Sequence, residues 1–263
     1  MGRTVRWIGI GISVVALGWG GWVALAARPR AEALSALRSD ARVEVVAEET
    51  GVYRFSPMSQ QGTLPIGLVF FPEETVDVRA YAPLMRAVAA AGYPVTLVTL
   101  PHRGLFASDI PDVLHTALGA MHEDVRAAHW VIGGHGYGAS VALKLVAEAA
   151  SMGGRIFAGI LLMGTAHPSV GNFTGLRLPV TKVLGTRDGI ARVSAAEANR
   201  RLLPPTARWV VLEGANHSQF GAYGFQLGDR PASINRAAQQ QQTVNAVLET
   251  LRLAADVFPV VPK

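Results

Sequence analysis

The 263-residue chain contains no cysteine. That excludes disulfides, thiolate metal ligands and a cysteine nucleophile, and it suits an oxidising compartment without requiring one. Charge is sparse, at 16% Asp, Glu, Lys and Arg, and what excess there is sits at one end. Residues 1–30 hold four arginines and no acid, so the formal net charge of +5 falls to +1 over the remainder, 20 basic against 19 acidic residues. So small an excess offers no electrostatic footprint for nucleic acid. There is no internal repeat, no long low-complexity tract and no dedicated metal-ligand spacing, so no metal and no cofactor is expected. The glutamine run at 239–242 reads as an exposed helix face.

What is present begins with an apolar leader. Residues 7–27 carry no charge, are rich in Ile, Val, Ala, Leu, Gly and Trp, and lie between Arg6 and Arg28. As a helix rising ~1.5 Å per residue, such a run spans roughly 30 Å, the thickness of a bilayer core. It is expected to enter the membrane, and its length favours a retained signal anchor. The small residues around Ala24-Leu25-Ala26 also fit a cleavage site, so a removed signal peptide is the competing reading. Arginines flank both ends (Arg3 and Arg6; Arg28, Arg30, Arg38 and Arg42), which leaves orientation open on charge alone. Leaders of this form translocate the domain behind them, so the globular part is expected outside the cytoplasm, or secreted if the leader is cleaved. The domain plan is an anchor or signal peptide over 1–30, a linker over 31–42 and one globular domain over 43–263, long enough for a substantial core.

Along that domain, 43–47 and 52–56 read as an edge β-hairpin around Glu48-Glu49-Thr50-Gly51. An alternation comes next: strand 66–71, helix 81–91 ending at Gly92, strand 95–100, helix 112–122, strand 130–132, helix 139–150, strand 157–163, strand 179–184, helix 194–203 with Ser194 as its cap, strand 209–212 and helix 235–253. Apolar strands alternating with helices predict an α/β fold with a mainly parallel, doubly wound sheet, helices on both faces and an N-terminal β-hairpin. Ligands in such sheets bind beyond the carboxyl ends of the strands.

At one such end stands Gly134-His135-Gly136-Tyr137-Gly138, between the strand-like Trp130-Val131-Ile132 and a strong helix former. This is the form of a nucleophile elbow, Gly-x-Ser-x-Gly, with Gly136 where the serine belongs. The strained turn favours positive φ at its centre, which glycine adopts without steric penalty, so the replacement keeps the turn and removes the nucleophile. A dinucleotide fingerprint fits less well, because the glycines run on into Ala139 and Ser140 in mid-chain. Ser140 is one helical turn along, displaced by roughly 5 Å from the attack position. An elbow demands an acid after a later strand and a histidine after the last one. Asp188 in Gly185-Thr186-Arg187-Asp188-Gly189 and His217 in Gly214-Ala215-Asn216-His217 satisfy both, in that order.

On these residues, with Ala80-Tyr81-Ala82-Pro83-Leu84-Met85-Arg86 and the long stretch from Asn216-His217-Ser218-Gln219-Phe220 to Asp229, the chain resembles the α/β-hydrolase superfamily and, within it, the compact fold-5 group. The resemblance runs from about residue 66 to the C-terminus. It implies a carboxylic ester or acyl hydrolase in which a serine attacks a carbonyl while the histidine relays the proton. Two positions depart from that pattern. Gly136 replaces the serine, and Phe71-Pro72-Glu73-Glu74 replaces the glycine-rich turn that offers N–H to the oxyanion; glutamates there disfavour a developing anion and fill space. Asp188, His217 and the vacant position of Gly136 are the candidate catalytic set, with Glu73, Glu74, Tyr137 and His135 around the pocket.

Three readings stand. One is a membrane-anchored pseudo-hydrolase that binds a small acyl or ester ligand or a protein partner. Another is a serine-independent hydrolase in which His217, oriented by Asp188, activates water, with Glu73 or Glu74 as a second acid. A third is a Rossmann-like domain in which Asp188 and His217 coincide by chance. For His102 and Arg103, beyond the 95–100 strand, surface solvation is expected ahead of anion binding.

Overall fold

The computed structural model describes residues 25–58, 66–104, 110–124, 126–151, 156–169 and 171–257. Most of the expected leader, residues 1–24, lies outside them. Among the described residues no helix is long and apolar enough to cross a membrane.

Eight strands form one sheet in the order β1-β2-β4-β3-β5-β6-β7-β8. They are β1 (Val43–Ala47), β2 (Val52–Pro57), β3 (Ile66–Phe71), β4 (Val95–Val98), β5 (His129–His135), β6 (Phe157–Met163), β7 (Val180–Gly185) and β8 (Arg208–Leu212). β1 and β2 are an antiparallel hairpin and β2 joins β4 antiparallel; every other pairing is parallel. The central strands β3, β5 and β6 are buried along their whole length, apart from the half-buried His129, as continuous apolar runs require when both faces are covered.

Two apolar layers cover the sheet. On one side α2 (Ala82–Ala90) and α6 (Arg236–Val257) pack Leu84, Met85, Val88, Val247 and Leu251 against Leu68, Phe70 and Val131. On the other, α3 (Ile110–Glu123) and α4 (Tyr137–Ser151) pack Val113, Ala117, Val141 and Leu145 against Val69, Phe71 and Ile132. The stretch expected as a linker at 31–42 includes a short helix, α1 (Ala31–Ser35), whose Ala33 is fully buried. The hairpin is tied to α3 by Arg54, which pairs with Glu48 and Glu123 and donates to the Ala120 carbonyl.

Two expectations shift. The helix expected from Ser194 begins one residue earlier as α5 (Val193–Ala198), with Arg192 at its cap position and no side-chain cap, so Ser194 lies inside the first turn. It ends at Asn199 and continues only as a 3-10 turn, Arg200–Leu202. The glutamine run is not an outward face throughout. Gln239 is fully buried, because the backbone of Asn216 offers it both a donor and an acceptor.

Candidate functional site

The carboxyl ends of β3, β5, β7 and β8 converge on one side of the sheet and bring together Glu73, Gly136, Asp188 and His217. β3 and β5 are parallel neighbours, with Phe71 opposite Gly134. Glu73 and Gly136 each lie two residues beyond that pair, so the chain brings them level as both strands leave the sheet. Gly136 has φ +52, the left-handed geometry of a strained turn, and its N–H donates to the Met163 carbonyl at the end of β6. Gly138 allows close approach: a Cβ there would lie 2.3 Å from the Phe71 carbonyl oxygen.

Glu73 fills the space that the missing side chain leaves. A Cβ on Gly136 would lie 1.7 Å from Glu73 Oε2. The same oxygen accepts the backbone N–H of Tyr137 at 2.5 Å. That N–H comes directly after the nucleophile position and is the donor that an elbow directs at an oxyanion. The backbone N–H of Glu73 donates to the Tyr81 hydroxyl at 3.1 Å. Glu73 Oε1 accepts from the Gln226 amide at 3.3 Å and lies 3.7 Å from His217 Nε2. Glu73 is only 4% exposed.

His217 is thus flanked by two carboxyl groups. Its Nδ1 bonds Asp188 Oδ2 at 2.9 Å, and both side chains are wholly buried. Burial opposes charge on the imidazole, but the hydrogen bond to Asp188 and the nearness of Glu73 outweigh it and push its pKa up to about 10. The ring is therefore an imidazolium at neutral pH. His135, in the elbow, packs against it with ring centroids 4.3 Å apart and the rings tilted by 39°. Burial first, and the charge of His217 second, hold His135 well below the usual histidine range and keep it neutral. Tyr81 Oη, which accepts the Glu73 N–H, also lies 2.7 Å from His135 Nδ1 and links the elbow histidine to the β3 turn.

The side chains of the remaining sequence candidates fall outside this cluster. Glu74 is exposed overall, and partial desolvation of its carboxyl group, followed by the charge of Glu73, raises its pKa. Tyr137 contributes its N–H, while its ring faces away, under Lys144 and beside Gly104. Ser140 is buried inside α4. Arg103 faces Asp77 at 3.7 Å, and both His102 and Arg103 have positive φ.

Several residues that hold the site were not singled out from the sequence. Asp229 accepts from the N–H groups of Gly189, His217 and Ser218 and from the Ser218 hydroxyl, clamping the acid loop to the histidine loop. Gln239 holds the histidine loop to α6 through two bonds to Asn216, at 3.0 and 2.7 Å. Tyr81, Gln226 and Asp229 all lie within the stretches that carried the family resemblance. That was the available signal, though spacing assigns them no partner.

A family model described as "Alpha/beta hydrolase family" matches residues 67–241. The chain belongs to that family. No curated protein matches it in sequence. Among solved structures, it is similar to an ester hydrolase from the metagenome of Lake Arreo (15% identity, 87% of this chain and 88% of that one, TM-score 0.60). It is also similar to a thermostable esterase from Pseudomonas putida (13% identity, 82% and 86% covered, TM-score 0.57) and to a bacterial heroin esterase (17% identity, 80% and 84% covered, TM-score 0.56). At these identities the likeness establishes the α/β-hydrolase fold.

Proposed function

We propose that this α/β-hydrolase-family chain is a membrane-anchored pseudo-hydrolase: its esterase-like site no longer forms an acyl-enzyme, and it binds a small acyl or ester ligand or a protein partner. The observation that carries the reading is the position of Glu73. Its carboxyl group stands in the volume of the absent nucleophile and takes the Tyr137 N–H. Loss of the serine alone costs about a million-fold in a serine hydrolase. Here the oxyanion donor is occupied as well.

Activation of water by His217 is less well supported. A general base must be neutral, and His217 is held protonated between two carboxyl groups. The anchor half of the proposal draws on the uncharged leader and on where it enters the domain: Ala26 accepts the Gly224 N–H at 2.8 Å and Ala27 accepts the Asp77 N–H at 3.1 Å. With export as the usual fate of such leaders, the domain is assigned to the extracytoplasmic side.

The test is turnover of a short-chain aryl ester by the full chain. The native protein and Gly136→Ser alone should be inactive, since Glu73 blocks the new side chain. Glu73→Gly combined with Gly136→Ser should gain activity that His217→Ala removes. Native turnover at ordinary enzyme rates, abolished by His217→Ala, would reverse the assignment in favour of a serine-independent hydrolase.

A further inference from the structure

The chain leaves the leader beside the functional site. A cavity of ≈ 230 Å³ is lined by Ala26 and Ala27, by Val76 from the loop after β3, and by Tyr223, Phe225 and Gln226. Gln226 is shared with the site, since its side-chain amide donates to Glu73 Oε1. The cavity's rim is apolar and open: Phe225 is 42% exposed and Leu227 50%, with Leu25 at 60% on the incoming chain. Large apolar side chains gathered at a mouth mark a surface that meets something apolar.

Two observations say what covers it. The first is the chain preceding it. Residues 7–24 are uncharged, and the backbone is pinned to this face at Ala26 and Ala27, so little slack separates an apolar leader from the rim. The second is charge around the mouth. Exposed Arg28 stands just past the entry point, and Arg79 and Arg103 stand over Asp77, which itself bonds Ala27. Asp77, Glu32 and Glu74 temper this charge. Exposed apolar tips with Arg28 exposed beside the chain's entry fit the acyl and headgroup layers of a bilayer surface.

We propose that the mouth formed by Phe225 and Leu227, with Leu25 on the chain entering beside it, docks into the bilayer interface, and that the cavity behind it takes the acyl chain of a membrane lipid. The inference rests on the anchor half of the proposed function. It deepens the ligand-binding half by assigning the ligand to lipid delivered from the membrane rather than from water.

The absence of cysteine makes a direct test clean. Single-cysteine forms of the full chain, Phe225→Cys, Leu227→Cys and Asn245→Cys, are labelled with a nitroxide and reconstituted into phosphatidylcholine–phosphatidylglycerol vesicles. Asn245 is exposed on α6, against the β8 edge. Labels at 225 and 227 should collide more with oxygen than with a water-soluble nickel chelate, and the label at 245 should do the reverse. Phosphatidylglycerol carrying a diazirine on its acyl chain should crosslink to peptides containing Val76 or Tyr223.

Flotation with the vesicles separates the two readings. If the chain floats but positions 225 and 227 meet nickel as freely as 245, docking is overturned and the anchor stands. If it floats and docks but crosslinks only to residues 7–24, the acyl-chain assignment is overturned. A chain that does not float removes the anchor, and docking with it.

Discussion

Glu73 and Gly136 are a size-compensated pair: the carboxyl group of one occupies the volume that a side chain on the other would need, with Oε2 placed 1.7 Å from the Cβ position. The pair is possible because β3 and β5 leave the sheet in step from Phe71 and Gly134.

Restoring serine without removing glutamate should therefore destabilise the fold. Overpacking a tight site costs typically ~1–3 kcal/mol, and φ +52 adds strain for any side chain. Thermal unfolding of Gly136→Ser should show a lower midpoint than the native chain. Much of the loss should return in the double variant with Glu73→Gly. An additive double-mutant cycle would contradict the pairing.

The imidazolium of His217 has its own pH signature. Its folded pKa, about 10, lies above the ordinary 6.5, so the stability it contributes is complete below pH 6.5 and is lost as pH rises through about 10. Because Lys182 titrates over the same range, the readout is a difference: the unfolding free energy of the native chain minus that of His217→Gln should shrink across that window by on the order of a few kcal/mol. A His217 imidazole resonance, assigned by its absence in His217→Gln, that titrated near pH 6.5 would contradict the assignment.

Lys182 behaves in the opposite sense. It is buried on β7, its ammonium group donates to the His167 carbonyl and lies 5.5 Å from the centre of the Trp209 ring, and burial lowers its pKa to about 7. A base with a lowered folded pKa destabilises the fold at low pH, and stability recovers as pH rises from about 7 towards 10.5. Lys182→Met, which keeps the volume, should raise stability by about 1 kcal/mol or more below pH 7 and shrink that rise. Chemical denaturation at several pH values checks it.

Gln239→Ala should leave the N–H and carbonyl of Asn216 buried without their present partners. Each such group costs about 1–3 kcal/mol. Hydrogen exchange in the histidine loop should rise more than exchange in the distant β1–β2 hairpin. Equal rises in both would point to a merely global effect.

Much of the architecture is legible in the order of residues. β1, β3 and β6 coincide with runs read from apolar pattern, and the hairpin, the parallel sheet and the two-sided covering result from how those runs alternate. Helix ends are less legible. Ser194 has the chemistry of a cap, but the chain turns into α5 at Arg192 and leaves it no cap to make. Gln239 looks like any polar residue on a helix because the loop it satisfies is 23 positions away.

The sequence by itself determined the glycine-rich strand-to-helix turn, the glycine at its centre, and the order of Gly136, Asp188 and His217, because local spacing and turn chemistry suffice for each. It also showed glutamates where small residues were expected. Only the tertiary structure decided what they do. Whether Glu73 or Glu74 turns inward depends on strand register and on the N–H and amide groups that meet the inner carboxyl. Glu73 finds Tyr137 and Gln226, while Glu74 remains exposed. Pattern along a chain reports which face an element buries; it does not report which side chain fills a cavity that another residue left empty.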